Sequence, residues 1–217
     1  MTGNEAGLQA LIIPVTPFQQ NCTLIWDTAT MKGAVIDPGG EVDAINEAIK
    51  RSGVDIETIF LTHGHIDHVG GAEAMKKSLG VPIHGPGIED KPLCENIEKQ
   101  AEMFGMPGQF RNAYPDVWLA EGDRIEIGGH SFEVFHCPGH SPGHVVFYNR
   151  EARFAHVGDV LFNGSVGRTD LPGGDHEALI RSIKEKLLPL GDDVSFICGH
   201  GPGSTFGRER ATNPFLQ

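Results

Sequence analysis

Thr62-His63-Gly64-His65-Ile66-Asp67-His68 places three imidazoles and one carboxylate within a stretch of six residues. It directly follows Thr58-Ile59-Phe60-Leu61, a run apolar enough for a buried strand. The chain must therefore leave a strand, turn, and present several donor side chains before it enters a helix. Gly64 allows the bend that lets neighbouring side chains point at one centre. His and Asp are good ligands for zinc and similar ions. A solvated loop that happens to be rich in His is the plain alternative, and four potential ligands in so short a stretch argue against it.

One such cluster cannot complete two metal sites, so further ligands must come from elsewhere. Cys137-Pro138-Gly139-His140, His156-Val157-Gly158-Asp159 and Ile197-Cys198-Gly199-His200-Gly201 each follow an apolar run, and each puts Gly directly before a ligand. Loops after strands gather at one edge of a sheet, where binding residues concentrate. Any one of the three also reads as a surface turn; together with the first cluster they form a consistent set. Gly139-His140-Ser141-Pro142-Gly143 satisfies the G-x-S-x-G pattern of serine hydrolases. In that elbow the residue after the nucleophile donates its backbone N–H to the oxyanion, and here it is Pro142, which has none. Ser141 is therefore not expected to be a nucleophile, and His140 is read as a ligand.

Short apolar runs at Leu11–Ile13, Thr23–Trp26 and Ala34–Ile36 suggest a three-stranded meander stopped by Asp37-Pro38-Gly39-Gly40. A helix is expected over about Glu41–Arg51, with Val42, Ile45, Ala48 and Ile49 on one face. Helical spacing returns after Gly71 and between Leu93 and Phe104. Strands are expected at Arg124–Ile127, Ser131–Phe135, Val145–Tyr148, Phe154–Val157 and Val194–Ile197, with a helix over His176–Leu188. Strand-rich and helical stretches thus alternate in two successive halves, and two packed sheets with helices outside is the simplest architecture for that pattern.

The net charge of −12, from 29 acidic and 17 basic residues, comes without a basic stripe, which disfavours nucleic-acid binding. No run approaches the roughly 18–20 apolar residues of a membrane helix, and Met1–Gly7 shows no signal peptide. The four cysteines, Cys22, Cys94, Cys137 and Cys198, form no C-x-x-C pair and read as buried thiols in a reducing cytoplasm. His84, His130, His136, His156 and His176 are assigned surface or satisfied structural roles.

In order along the chain, T-H-x-H-x-D-H, a lone His, Gly-Asp and a late Gly-His-Gly resemble the metallo-β-lactamase superfamily, as does the early turn at Asp37-Pro38-Gly39. The resemblance implies an α/β fold, the four-layer αββα architecture, over a single domain spanning residues 1–217. It implies one metal held by His63, His65 and His140, a second by Asp67, His68 and His200, and Asp159 bridging them. The ions are expected to be two divalent cations, zinc first, with iron or manganese also accommodated. Asp67 would both ligate and orient the attacking hydroxide. Asp37 and His144 would stand behind the ligands, with Asp37 accepting from a ligand imidazole.

Within the superfamily, Phe18-Gln19-Gln20-Asn21-Cys22, His140-Ser141-Pro142-Gly143-His144 and Gly167-Arg168-Thr169-Asp170 are similar to short glyoxalase II-like (hydroxyacylglutathione hydrolase-like) enzymes. That implies hydrolysis of S-lactoylglutathione, or a related small-molecule thioester, by a cytoplasmic monomer or small homo-oligomer. Two departures stand out. The chain is expected to lack the C-terminal helical domain with which longer glyoxalase II enzymes hold glutathione. It also has Arg168, Thr169 and Asp170 where those enzymes place a Lys and then an aromatic pair. Arg168 is either a partner for a substrate carboxylate, which its fork matches, or a structural partner of Asp170. Persulfide dioxygenases share the fold and the Gly-Arg-Thr-Asp stretch; an iron would then sit on His63, His140 and Asp159. Lactonase and β-lactamase activities belong to the same fold, which does not fix the substrate. A non-catalytic metal-binding module is the remaining alternative.

Overall fold

The computed structural model describes residues 7–106, 108 and 110–217. The first half runs β1 (Leu8–Val15), β2 (Gln20–Asp27), β3 (Lys32–Ile36), α1 (Val42–Ser52), β4 (Asp55–Phe60), α2 (Ile66–Val69), α3 (Ala72–Leu79), β5 (Ile83–His84), α4 (Lys91–Cys94) and α5 (Ile97–Met103). The second half runs β6 (Arg124–Ile127), β7 (His130–His136), β8 (Val145–Asn149), β9 (Phe154–His156), β10 (Leu161–Phe162), β11 (Ser165–Val166), α6 (His176–Arg181), β12 (Ser195–Ile197), β13 (Ser204–Thr205) and α7 (Phe206–Thr212).

The two large sheets follow the order β1-β2-β3-β4-β5 and β13-β12-β9-β8-β7-β6. β1, β2 and β3 form the expected antiparallel meander. β4 then returns parallel to β3, and α1 makes the crossover. In the second sheet, β12 joins β9 in parallel.

Alternate residues along each central strand enter different cores. Leu24, Val35 and Ile59 face α1 and α3, packing with Ile45, Ile49 and Met75. Their neighbours Ile25, Ala34, Ile36 and Phe60 face the other way, onto Phe132, Val134, Val145 and Phe147 of the second sheet. Val146 and Tyr148, the next residues of β8, turn outward onto Leu179, Ile183 and Leu187 of the last helical segment. Two sheets with period-two side chains thus generate three cores, and three cores make four layers. This is the αββα fold. Among the described residues, no helix is long and apolar enough to cross a membrane.

Two expected helices come out differently. The stretch from Leu93 to Phe104 is broken, because Asn96 leaves the helical region at φ −126° and its side-chain amide donates to the Pro92 carbonyl at 2.8 Å. From Ser182 to Leu187 the helix that begins at His176 widens into a π-helical turn.

Candidate metal centre

The loops that carry the candidate ligands leave the carboxyl ends of strands. Asp37 follows β3, His63 follows β4, Asp159 follows β9 and His200 follows β12. Because β3 runs parallel to β4, and β9 to β12, each pair delivers its loops to one edge. His140 enters from the turn between β7 and β8. Asn21 ties the two sheets together at this edge. Its backbone N–H donates to the Gly199 carbonyl at 2.7 Å, and its side chain donates to the carbonyls of Cys198 and Gly201 at 2.9 and 2.8 Å.

All seven candidate ligands converge. His63, His65 and His140 form one group able to hold a cation, and Asp67, His68 and His200 form another. In the first, His65 Nδ1 lies 2.9 Å from His140 Nε2, which lies 3.2 Å from His63 Nε2. Tetrahedral ligands on one zinc would stand about 3.3 Å apart. In the second, Asp67 Oδ2 lies 3.2 Å from His200 Nε2 and 3.8 Å from His68 Nε2. Asp159 stands between the groups, 3.4 Å from His68, 3.5 Å from His140 and 3.5 Å from His200.

In four of the five candidate histidines the ring nitrogen facing away from the centre is tied down. His140 Nδ1–H donates to the Arg168 carbonyl at 2.8 Å, and His200 Nδ1–H to the Phe18 carbonyl at 3.1 Å. His68 Nδ1–H donates to Asp37 Oδ2 at 2.9 Å. Thr62 Oγ1 donates to Asp37 Oδ2 at 2.6 Å and so accepts from His63 Nδ1–H at 3.0 Å. These bonds fix the ring orientations and turn each of these Nε2 atoms inward, the arrangement that suits metal-ligating histidines once a cation displaces any Nε2 proton. A third grouping of Asp37 with His63 and His68 is accounted for by the same hydrogen bonds. Asp37 thus accepts from His68 Nδ1–H and Thr62 Oγ1 behind the candidate ligands.

Among the described residues, His68 Nε2 and Asp159 Oδ1 are buried without a hydrogen-bond partner and face each other at 3.4 Å. A bound cation would satisfy them, so the residues fit a metal pair. The electrostatics point the same way. Burial opposes charge on His68, yet Asp159, Asp67 and Asp37 push its pKa well above the usual value. Burial likewise opposes the Asp159 and Asp67 charges, but His68 and His200 hold both carboxyls below their ordinary range. His200 is raised to about 9 by the same two carboxylates, against its burial. Burial and then the neighbouring His140 take His65 down to about 3, leaving a neutral imidazole ready to ligate. One half of the centre is thus rich in neutral imidazole and the other in carboxylate, a donor set for divalent ions.

His144 packs against the candidate ligands. Its ring stacks on His63 at 4.6 Å, and its Nε2 accepts the Asp159 N–H at 3.0 Å. Ser141 is fully buried and donates to Asp90 Oδ2 at 2.6 Å, so it presents no nucleophile to the cleft. Asp90 itself was not marked by the motifs. It also accepts the N–H groups of Gly64 at 2.8 Å and Gly143 at 2.6 Å, latching the His63–His68 loop to the His140 loop. Its only sequence signal is an acidic residue in a Gly-rich turn. His84, His130, His136 and His176 take surface or satisfied positions, whereas His156 departs from that expectation. It is fully buried; Nε2 meets Thr23 Oγ1 at 3.2 Å, and Nδ1 has no partner.

Arg168 donates through Nε and Nη2 to the two oxygens of Asp170, both at 2.7 Å, at the rim of a cleft above the centre. The cleft holds about 530 Å3 and is lined by His65, Asp67, His140, Asp159 and His200 at its floor.

A family model for the metallo-beta-lactamase superfamily matches residues 15–200. The chain belongs to this superfamily. It is a metallo-hydrolase of the metallo-β-lactamase fold, and the His and Asp groups at its centre suit a dinuclear site. Among superfamily relatives, it is 48% identical to the hydroxyacylglutathione hydrolase GloC of Haemophilus influenzae, over 94% of this chain and 96% of the relative. Two solved superfamily structures are similar throughout. BLEG-1, a B3 metallo-β-lactamase, superposes with a TM-score of 0.88 at 35% identity, over 96% of this chain and 99% of its own. TTHA1623 in a di-iron-bound form gives 0.84 at 39% identity, over 95% of this chain and all of its own.

Proposed function

We propose that this chain is a dinuclear thioester hydrolase acting on S-lactoylglutathione or a related acyl thioester. The observation that carries the reading is Asp159, set within 3.5 Å of imidazoles from both groups, as a carboxylate shared by two ions must be. The 48% identity to a hydroxyacylglutathione hydrolase over nearly the whole chain supports the substrate class. His63, His65 and His140 would hold one ion, Asp67, His68 and His200 the other, with zinc, iron or manganese suited to the donors. Residues 1–217 would act as a single domain.

When bound, such an ion pair supplies Lewis acidity and a water of lowered pKa. The chain's own groups then direct the reaction. Asp67 would orient the attacking water, its own carboxyl staying ionised because His68 and His200 hold it below the ordinary range. Asp37 keeps His68 in the tautomer that turns Nε2 inward. The water oxygen bonds to the carbonyl carbon, the C–S bond breaks, and the thiolate leaves with the proton the water gave up. A thiolate is a good leaving group, so no strong general acid is needed. Arg168 is paired with Asp170 at the rim and would meet a glutathione carboxylate only by exchanging that partner.

The test is metal analysis of the purified chain together with hydrolysis of S-lactoylglutathione in air and under argon. Two ions per chain and equal turnover in both atmospheres are expected. Turnover confined to an iron-loaded form acting on a persulfide with oxygen would overturn the reading, as would hydrolysis of β-lactams alone.

A further inference from the structure

The cleft above the ligands has walls that the thioester reading leaves unused. Phe18, Met103, Phe104, Phe162, Leu171 and Pro172 line it. Phe18 and Phe104 pack edge to face with centroids 5.5 Å apart, and the Phe162 ring stands 6.2 Å from that of the candidate ligand His200. Met103 is 81% exposed and Phe104 47%, so these apolar groups face water at the mouth of a site rather than a core. Contiguous exposed apolar surface beside a reactive centre signals a ligand.

Charge says what that ligand is not. Among the described lining residues Arg168 is the one Lys or Arg, and both arms of its fork are spent on Asp170. The carboxylates lining the cleft, Asp67 and Asp159, are on the floor among the imidazoles. Among the described lining residues an anionic peptide tail would meet no Lys or Arg free of a carboxylate partner, whereas an apolar chain would find aromatic and aliphatic surface. The floor of the same cleft carries the candidate ligands, so whatever fills it is joined to the scissile carbonyl.

Resting on the thioester reading above, we propose that the cleft receives the acyl part of the substrate and selects large apolar acyl groups over small ones. The polar thiol portion then lies toward the rim and Arg168. Met103 and Phe104 act as specificity-determining residues.

The experiment uses the metal-loaded full chain and acyl thioesters of N-acetylcysteamine, whose thiol is neutral, with acetyl, butanoyl and hexanoyl groups. A fully buried methylene contributes about a fourfold gain in binding, and this cleft is half open, so kcat/KM should rise by about tenfold or more from acetyl to hexanoyl. In Met103→Ser and Phe104→Ser that ratio should shrink to about threefold or less. Both side chains are solvent-facing, so the variants should fold. A flat or falling series in an enzyme that hydrolyses thioesters overturns the acyl selectivity and leaves the thioester reading intact. So does a ratio unchanged in both variants. Calorimetry separates the two ideas when no thioester is turned over. S-hexylglutathione should bind more tightly than S-methylglutathione, and Phe104→Ser should abolish the difference. Equal binding of the two thioethers overturns the inference on its own.

Discussion

Asp159 reaches imidazoles of both groups, whereas His200 belongs to one. Removing a shared carboxylate should therefore cost more than removing a single ligand. Asp159→Ala is expected to lower kcat/KM at least about tenfold further than His200→Ala, and to lower the content of both ions. Equal losses in the two variants would count against a shared ligand. Gly199 makes a second residue-scale case. A Cβ there would collide with Asp159 Oδ1 and lie within 2.6 Å of His68 Cε1. Gly199→Ala should keep the native circular dichroism spectrum while activity falls about a hundredfold, the scale of an ångström-sized misplacement. Unchanged activity would show that Asp159 is free to move. At this scale the proposed ligands were legible because His and Asp sit in short Gly-bearing stretches, where few other chemistries fit. Asp90 was not. Its partners are two backbone N–H groups and a buried hydroxyl, and such partners leave no mark on residue identity.

Elements meet across the sheets through single polar contacts as well as through cores. Asp27, the last residue of β2, accepts from His130 Nε2 at 3.0 Å, and His130 opens β7. The His130 bond first, and then the Thr30 amide, hold the Asp27 carboxyl down at about 2. In the unfolded chain the same group titrates near about 3.9. A depressed folded pKa contributes stability above the unfolded value and loses it as pH falls through the folded one. The wild type should thus lose stability more steeply than Asp27→Asn between about pH 4 and pH 2, with a constant difference above pH 5. Urea midpoints of both proteins across that range give the check, and parallel acid limbs would refute the linkage. The strands of the meander and most later strands were legible from apolar runs. The parallel return of β4 and β12 was not, since residue pattern along one strand says nothing of its neighbour's direction. The break at Asn96 was missed because the helical spacing of apolar residues continues on both sides of it.

The molecule as a whole depends on the layer between its sheets. Phe147 and Phe60 meet there with ring centroids 5.6 Å apart, and Phe147 is fully buried. Phe147→Ala should cost about 3–5 kcal/mol of unfolding free energy, the range for emptying a large aromatic site in a packed core. Denaturant unfolding measures it, and a loss under about 1 kcal/mol would mean that the sheets close the gap by shifting together. The two sheets also share out the proposed ligands. His63, His65, Asp67 and His68 follow β4 of the first, while His140, Asp159 and His200 come from loops of the second. Each candidate ion would accordingly be held by residues from both halves of the chain. A nascent chain leaves the ribosome in order, so His63 emerges well over a hundred residues before His200. Capture of either proposed ion would then have to wait for the second half, and a chain that stopped before His140 would hold neither.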